Sequence, residues 1–232
     1  FFLIFGPSLF WGRFIVLLSS LGILFLIGCL VWKCSRSLIM ACLAPLLFWN
    51  TYALYEWIGY ARVDLPAIFL GMAGLFMISL ENSRRNRMIA LLLFILSLYT
   101  KQIQFIAPLA ACIYLMLRDF RSGLKFSVIL AALVLGIFMI LTLITGGEYF
   151  RHTVTYNANV FEWWQLVAWI KHMVRFYFFF IVLFAISLIY NIIGRIKNRT
   201  PNQITDLFLI YAILSLVSIA AIGKVGAASN YL

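Results

Sequence analysis

Acidic residues are scarce in this chain: its 232 residues hold 7 Asp and Glu against 18 Lys and Arg, a formal net charge of +11. Histidine is scarcer still, with only His152 and His172, which stand too far apart in sequence to read as a metal pair. Cys29, Cys34, Cys42 and Cys112 show no metal-ligand spacing and lie in or beside apolar runs. That pattern predicts reduced, buried thiols and excludes a disulfide framework. No glycine-rich phosphate loop is present, which removes the nucleotide-binding classes that depend on one. The sequon at Asn198-Arg199-Thr200 runs into Pro201 inside a basic spacer and is discounted as a glycosylation site.

Apolar residues fill the space that charge leaves empty. The chain is 65% hydrophobic with 11% charged residues, and its mean hydropathy is +1.06, far from the composition of a soluble domain. Apolar runs occupy 8–32, 38–58, 65–80, 88–99, 103–117, 126–145, 173–193 and 204–222. Crossing about 30 Å of hydrocarbon takes about 20 mostly apolar residues in a helix. The expectation is an all-α, polytopic transmembrane bundle of about eight membrane helices, forming a single domain over 1–232 with no soluble module.

The cations are distributed unevenly. Lys33 and Arg36, then Arg84, Arg85 and Arg87, then Arg118, Arg121 and Lys125, then Arg195, Lys197 and Arg199 follow the first, third, fifth and seventh runs. The acids in or beside these spacers are Glu81, Asp119 and Asp206. Under the positive-inside rule this parity makes the four spacers cytoplasmic, near anionic headgroups, and argues against a nucleic-acid groove. It leaves 50–64, 100–102, 146–172 and 223–232 on the outer side, where cations are disfavoured and need a partner.

Four outer stretches carry such residues. Arg62 and Asp64 stand where the chain re-enters an apolar run, read as an Arg–Asp pair with Asp64 also placed to cap the next helix, Pro66 in its first turn and Glu56 nearby. Thr100-Lys101-Gln102-Ile103-Gln104 joins two short runs, about 18 and 22 Å of helix. Such undersized spans put Lys101 below the outer headgroups, either snorkelling or lining a wet cavity with Gln102 and Gln104. In 146–172, Trp163, Trp164 and Trp169 with Tyr149 and Tyr156 suit an interfacial belt, and 160–172 is expected to lie flat as an amphipathic helix. Finally, Gly223-Lys224-Val225-Gly226 supplies small residues and another outer cation before Asn230-Tyr231. A lipid phosphate is a sufficient partner for Arg62, Lys101 and Lys224.

Taken in order, Gly6-Pro7-Ser8-Leu9-Phe10 with Gly12-Arg13, Ala61-Arg62-Val63-Asp64, Thr100-Lys101-Gln102, Thr155-Tyr156-Asn157-Ala158-Asn159-Val160-Phe161, and Gly223-Lys224-Val225-Gly226-Ala227 through Asn230-Tyr231-Leu232 form a pattern. It resembles the bacterial membrane glycosyltransferases of the GT-C superfamily, in the family 39 branch that includes protein O-mannosyltransferases and aminoarabinose transferases. The resemblance covers essentially the whole chain. It implies a GT-C-like bundle in the plasma membrane with its active face outward. The implied activity is inverting transfer of a sugar from a polyprenyl-phosphate carrier to a glycan, lipid or protein acceptor. The family's catalytic carboxylate lies in the first outer loop, which would precede Phe1. The chain, beginning without Met and stopping at Leu232, accordingly reads as an internal piece lacking the first helix, that loop and the C-terminal part. No catalytic residue is therefore assigned here. By similarity Arg62, Asp64, Lys101, Gln102, Lys224, Asn230 and Tyr231 form the substrate and lipid-phosphate set. Metal use varies in the family; no cofactor is evident, and no ligand cluster supports a divalent metal.

Three other readings compete. A transporter or flippase would place polar residues and repeats near the midplane, whereas here they gather at one surface. A non-catalytic scaffold leaves the outer cations unexplained. An O-antigen ligase or polymerase calls for a large outer loop with an Arg and His cluster, of which Arg151 and His152 are a faint version.

Overall fold

The computed structural model describes residues 9–51, 59–80, 83–196 and 203–220. Its helices are α1 (Leu9–Ser35), α2 (Leu38–Trp49), α3 (Asp64–Ser79), α4 (Arg84–Thr100), α5 (Ile106–Arg118), α6 (Phe120–Ile144), α7 (Trp163–Ile196) and α8 (Gln203–Ser218). A tight helical turn, Gln102–Phe105, leads into α5. The fold is all-α, with no β-sheet among the described residues.

Each apolar run carries a helix, but the expectation of eight membrane-spanning helices is met only in part. Leu9–Ser35, Phe120–Ile144 and Trp163–Gly194 are long and apolar enough to cross a membrane, consistent with an integral membrane protein. Leu38–Trp49, Asp64–Ser79, Gln102–Arg118 and Ile204–Ser218 are apolar and shorter. At 12 and 16 residues, α2 and α3 reach about 18 and 24 Å.

Two boundaries differ from the sequence reading, each for a local reason. α4 has 17 residues where the apolar run has twelve, because Ser83 takes the N-cap and accepts a bond from the Asn86 amide at 3.1 Å. The helix thus begins inside the arginine cluster and gains about 8 Å over the apolar run alone. The second difference lies at 160–172. The helix expected there begins at Trp163 and forms the first part of the 34-residue α7, which continues past a kink to Ile196. Tyr177 departs from helical geometry inside it (φ −114°, ψ 16°), setting a first part with Lys171, His172 and Arg175 apart from an apolar second part.

The described residues fall into two compact units that part at Ala111 and Cys112. In the first unit the order of contacts fixes the helix directions. Val16, Ile23 and Leu65 form a buried cluster with Phe69 and Met72 packed on it, which joins the early part of α1 to the early part of α3. At the far end Lys33 Nζ donates to the Ser79 carbonyl at 2.7 Å. α1 and α3 are therefore parallel. α4 runs back along α3: Gly74 faces Phe94, and Ser97 faces Ala67. The packing there is tight, since a Cβ on Gly74 would lie 2.5 Å from the fully buried Phe94 ring.

In the second unit Asp119 caps α6 through the Ser122 amide at 3.3 Å. Gly123 lies against the end of α5, so closely that a Cβ would stand 2.3 Å from the Met116 nitrogen. Arg118 donates to the buried Tyr114 hydroxyl at 3.1 Å. Between α6 and α7, Gly146 and Gly147 take positive φ and the chain passes through Glu148–Phe150 and Arg151–Thr155 as short helical turns.

Candidate functional site: a carboxylate between two cations

Asp64, the first residue of α3, is buried, and its carboxylate binds two cations. Arg62 Nε lies 3.2 Å from one oxygen, and Lys101 Nζ donates to the other. The expected capping role is replaced by this pairing. Val63 takes the cap position without a side-chain bond, and the Asp64 side chain is used on the cations instead. Pro66 sits in the first turn of α3, where its missing N–H costs nothing.

Local backbone geometry delivers each cation. The Arg62 amide donates to the Tyr60 carbonyl at 2.9 Å, closing a turn just before α3. Lys101 ends α4 in an extended conformation (φ −155°, ψ 116°), and its carbonyl accepts from the Gln104 amide at 3.0 Å. This break between α4 and the following turn lets Lys101 swing toward α3 instead of continuing along its own helix.

Ser97 ties the two helices together one turn below the ion pairs. Its hydroxyl donates to the Ala67 carbonyl at 2.7 Å, and its own carbonyl accepts the Lys101 amide at 2.9 Å. The residue is fully buried, and Gly71 leaves room for it: a Cβ there would stand 3.3 Å from the Ser97 oxygen and 3.1 Å from the Ala107 Cβ. Sequence reasoning missed Ser97. The available signal was a lone hydroxyl inside an apolar run, one helical turn before a candidate lysine.

The side chains are 12% exposed for Asp64, 19% for Lys101 and 36% for Arg62. Largely withdrawn from water, the Lys101–Asp64 pair lies between the surface regime, worth below about 1 kcal/mol, and the buried regime, where losing one partner costs about 3–5 kcal/mol. Arg62, half in solvent, contributes less. Among the described residues, these two cations and one carboxylate sum to one net positive charge.

The structure thus brings together Arg62, Asp64 and Lys101. Gln102 is exposed on the turn that follows Lys101. Lys224, Asn230 and Tyr231, like Glu56, lie outside the described residues. In the second unit Arg151 and His152 form only local contacts, to Glu148 at 2.8 and 3.9 Å, on an exposed turn. Cys29 is half-buried and Cys112 buried, while Cys34 and Cys42 are exposed, contrary to the expectation that all four would be buried; all are free thiols. Among the described residues no group of His, Cys, Asp or Glu is arranged to hold a metal.

No family model, curated protein or solved structure matches this chain. Its class is accordingly defined by the all-α fold, the three apolar helices and the charged cluster at the head of α3.

Proposed function

We propose that the protein is a membrane glycosyltransferase of the GT-C type, similar to the family 39 branch. In this reading it moves a sugar from a polyprenyl-phosphate carrier to an acceptor hydroxyl on the outer face of the plasma membrane, with inversion at the anomeric carbon. The observation that supports it is the convergence of Arg62 and Lys101 on one buried carboxylate at the end of a short-helix bundle. Both cations belong to motifs that carry the family resemblance.

In the reaction the acceptor oxygen bonds to the anomeric carbon while the bond from that carbon to the carrier phosphate breaks. The acceptor proton passes to a carboxylate base, and negative charge accumulates on the departing lipid phosphate. Arg62 and Lys101 would hold that phosphate and balance its charge, an effect worth most in a water-poor setting. Asp64 keeps the two cations together when no substrate is bound. No residue of this chain is assigned as the base.

The test is sugar transfer from a labelled polyprenyl-phosphate donor by the full-length protein in proteoliposomes. Lys101→Ala and Arg62→Ala should each abolish most transfer while the protein still inserts and folds. Normal transfer in both variants would overturn the assignment of the cations. Movement of the intact lipid-linked sugar across the bilayer, without transfer, would favour a flippase.

A further inference from the structure

The end of the first unit opposite the Asp64 cluster is charged with one sign. The bond from Lys33 to the Ser79 carbonyl puts the last turns of α1 and α3 at the same level. Arg36 follows α1 directly, and Arg84, Arg85 and Arg87 occupy the first turn of α4, just beyond α3. Asp64 is the only acid among the described residues of this unit, and it lies at the other end. Even with Glu81, which lies outside the described residues, five cations at this end keep a surplus of four.

Two physical features say what covers this end. The first is the helix dipole. The N-terminus of a helix carries partial positive charge, so basic residues in its first turn are unfavourable, and α4 has no acid there to offset them. An external anion removes that penalty. The second is the surface beside the cations. Arg36, Arg84 and Arg85 are exposed, and the next residues toward the unit's middle are exposed and apolar: Leu38 68%, Ile39 70% and Met88 62%. A cationic rim above an apolar wall matches the border between headgroups and acyl chains. It does not match a nucleic acid or an acidic protein, which would meet a polar surface on both sides.

We infer that this end of the first unit binds the headgroups of anionic glycerophospholipids, with Arg36, Arg84 and Arg85 as the principal contacts. This surface is independent of the carrier-phosphate site, and its binding does not require the protein to be a transferase. Clusters of four or more Lys and Arg beside a membrane helix attract anionic lipid with about 1 kcal/mol per cation, which is roughly a fivefold change in lipid preference for each one removed.

The test uses the full chain in nanodiscs of phosphatidylcholine containing a minor fraction of phosphatidylglycerol, with retained lipid measured by native mass spectrometry. Wild-type protein should enrich phosphatidylglycerol on the order of a hundredfold, about fivefold for each of the three principal contacts. Arg36→Gln, Arg84→Gln and Arg85→Gln should each lower that preference roughly fivefold, while Arg84→Lys and Arg85→Lys keep it. The control Arg151→Gln, in the second unit on the segment read as outer and paired with Glu148, should leave it unchanged. An absent preference in wild type, or one that survives all three Gln substitutions, overturns the inference. So does Arg84-dependent binding of polyglutamate to protein in pure phosphatidylcholine, which would make the partner an acidic protein. A second measurement holds even where the substituted chains fail to insert. In wild type, exchange at the Asn86 and Arg87 amides, which bond to Ser83, should slow about two- to fivefold in anionic nanodiscs as the dipole penalty is relieved. Equal exchange in both lipids also overturns it.

Discussion

The two units use apolar helices to different ends. In the first, a third of the most apolar window of α1 is buried, and its helices are pinned by named polar contacts: Lys33 to Ser79, Ser97 to Ala67, Lys101 to Asp64. In the second, the corresponding windows of α6 and α7 are 6% and 0% buried. Side chains such as Leu135, Ile140, Phe178 and Tyr190 stand exposed along them. Hydrocarbon tails are as apolar as leucine, so a lipid-facing helix needs no protein packing to be satisfied. A charged cluster held to a fixed geometry does need it. The contrast therefore locates precision in the first unit, where burial and polar pins coincide, while the long apolar helices of the second unit have the length and exposure that suit lipid contact.

The sharpest way to break that contrast is to remove Lys101. Lys101→Ala leaves Asp64 with only the half-exposed Arg62, and on the proposed mechanism it also removes a positive charge from the leaving phosphate. Loss of one preorganised electrostatic contact of this kind lowers turnover about 10²–10³-fold. Stability should fall by on the order of 2 kcal/mol, between the surface and buried limits. In a double-mutant cycle, Asp64→Leu with Lys101→Ala should lose less stability than the two singles added together, because neither the buried carboxylate nor the lysine is then left without the other. Additive losses, read by denaturant titration in micelles, would show that the two residues do not interact.

Glycine substitutions sharpen the comparison at the level of packing. Gly74→Ala puts a methyl group 2.5 Å from the Phe94 ring, which is fully buried and has nowhere to move. A loss of about 1–3 kcal/mol is expected. Gly136→Ala, in α6, meets nothing within 4 Å and should gain up to about 1 kcal/mol from helix propensity alone. Thermal unfolding of the two variants side by side should show shifts of opposite sign. Equal shifts would mean that the units do not differ in packing.

How much of this was legible beforehand depended on whether the signal was periodic or positional. Composition alone gave the all-α class, and every apolar run holds a helix, because long apolar stretches leave few alternatives. Helix ends were less legible. α4 starts in the arginine cluster since Ser83 is a competent cap, and a hydropathy reading stops where the charges begin. That this helix runs on, past a kink at Tyr177, into the apolar second part of α7 was hidden by the interfacial look of Trp163, Trp164 and Trp169. At the site, the parity of the basic spacers put Arg62, Asp64 and Lys101 on one side, and the cost of charge near an apolar run marked them as a set. Which of them touch depends on the exact register of α3 against α4, and nothing in the sequence stated that register. Ser97, which fixes it, looks in sequence like any small residue of a membrane helix.

Ser97→Ala tests that register with a smaller effect. It deletes one buried hydroxyl and leaves the Ala67 carbonyl without this donor, for a loss of about 1–2 kcal/mol. A purely structural role would lower stability and leave the kinetics of folded protein untouched. A positioning role for Lys101 predicts in addition a several-fold drop in transfer by fully folded protein. Ser97→Thr, which keeps the hydroxyl, should recover more of that loss than Ser97→Val, which has a similar volume without it.

The smallest effect is expected in the second unit, at the other carboxylate that touches two basic residues. Glu148 pairs with Arg151 at 2.8 Å and lies 3.9 Å from His152, so by its partners alone it looks like a twin of Asp64. The surroundings make it different. Glu148, Arg151 and His152 are 51%, 60% and 71% exposed and sit within one turn of backbone, where solvent screens the charges and the contacts form without tertiary packing. Glu148→Gln should therefore change stability by less than about 0.5 kcal/mol and leave transfer within twofold of wild type. A loss as large as that of Lys101→Ala would show that this turn, too, is held against something that excludes water, and the contrast between the two carboxylates would fail.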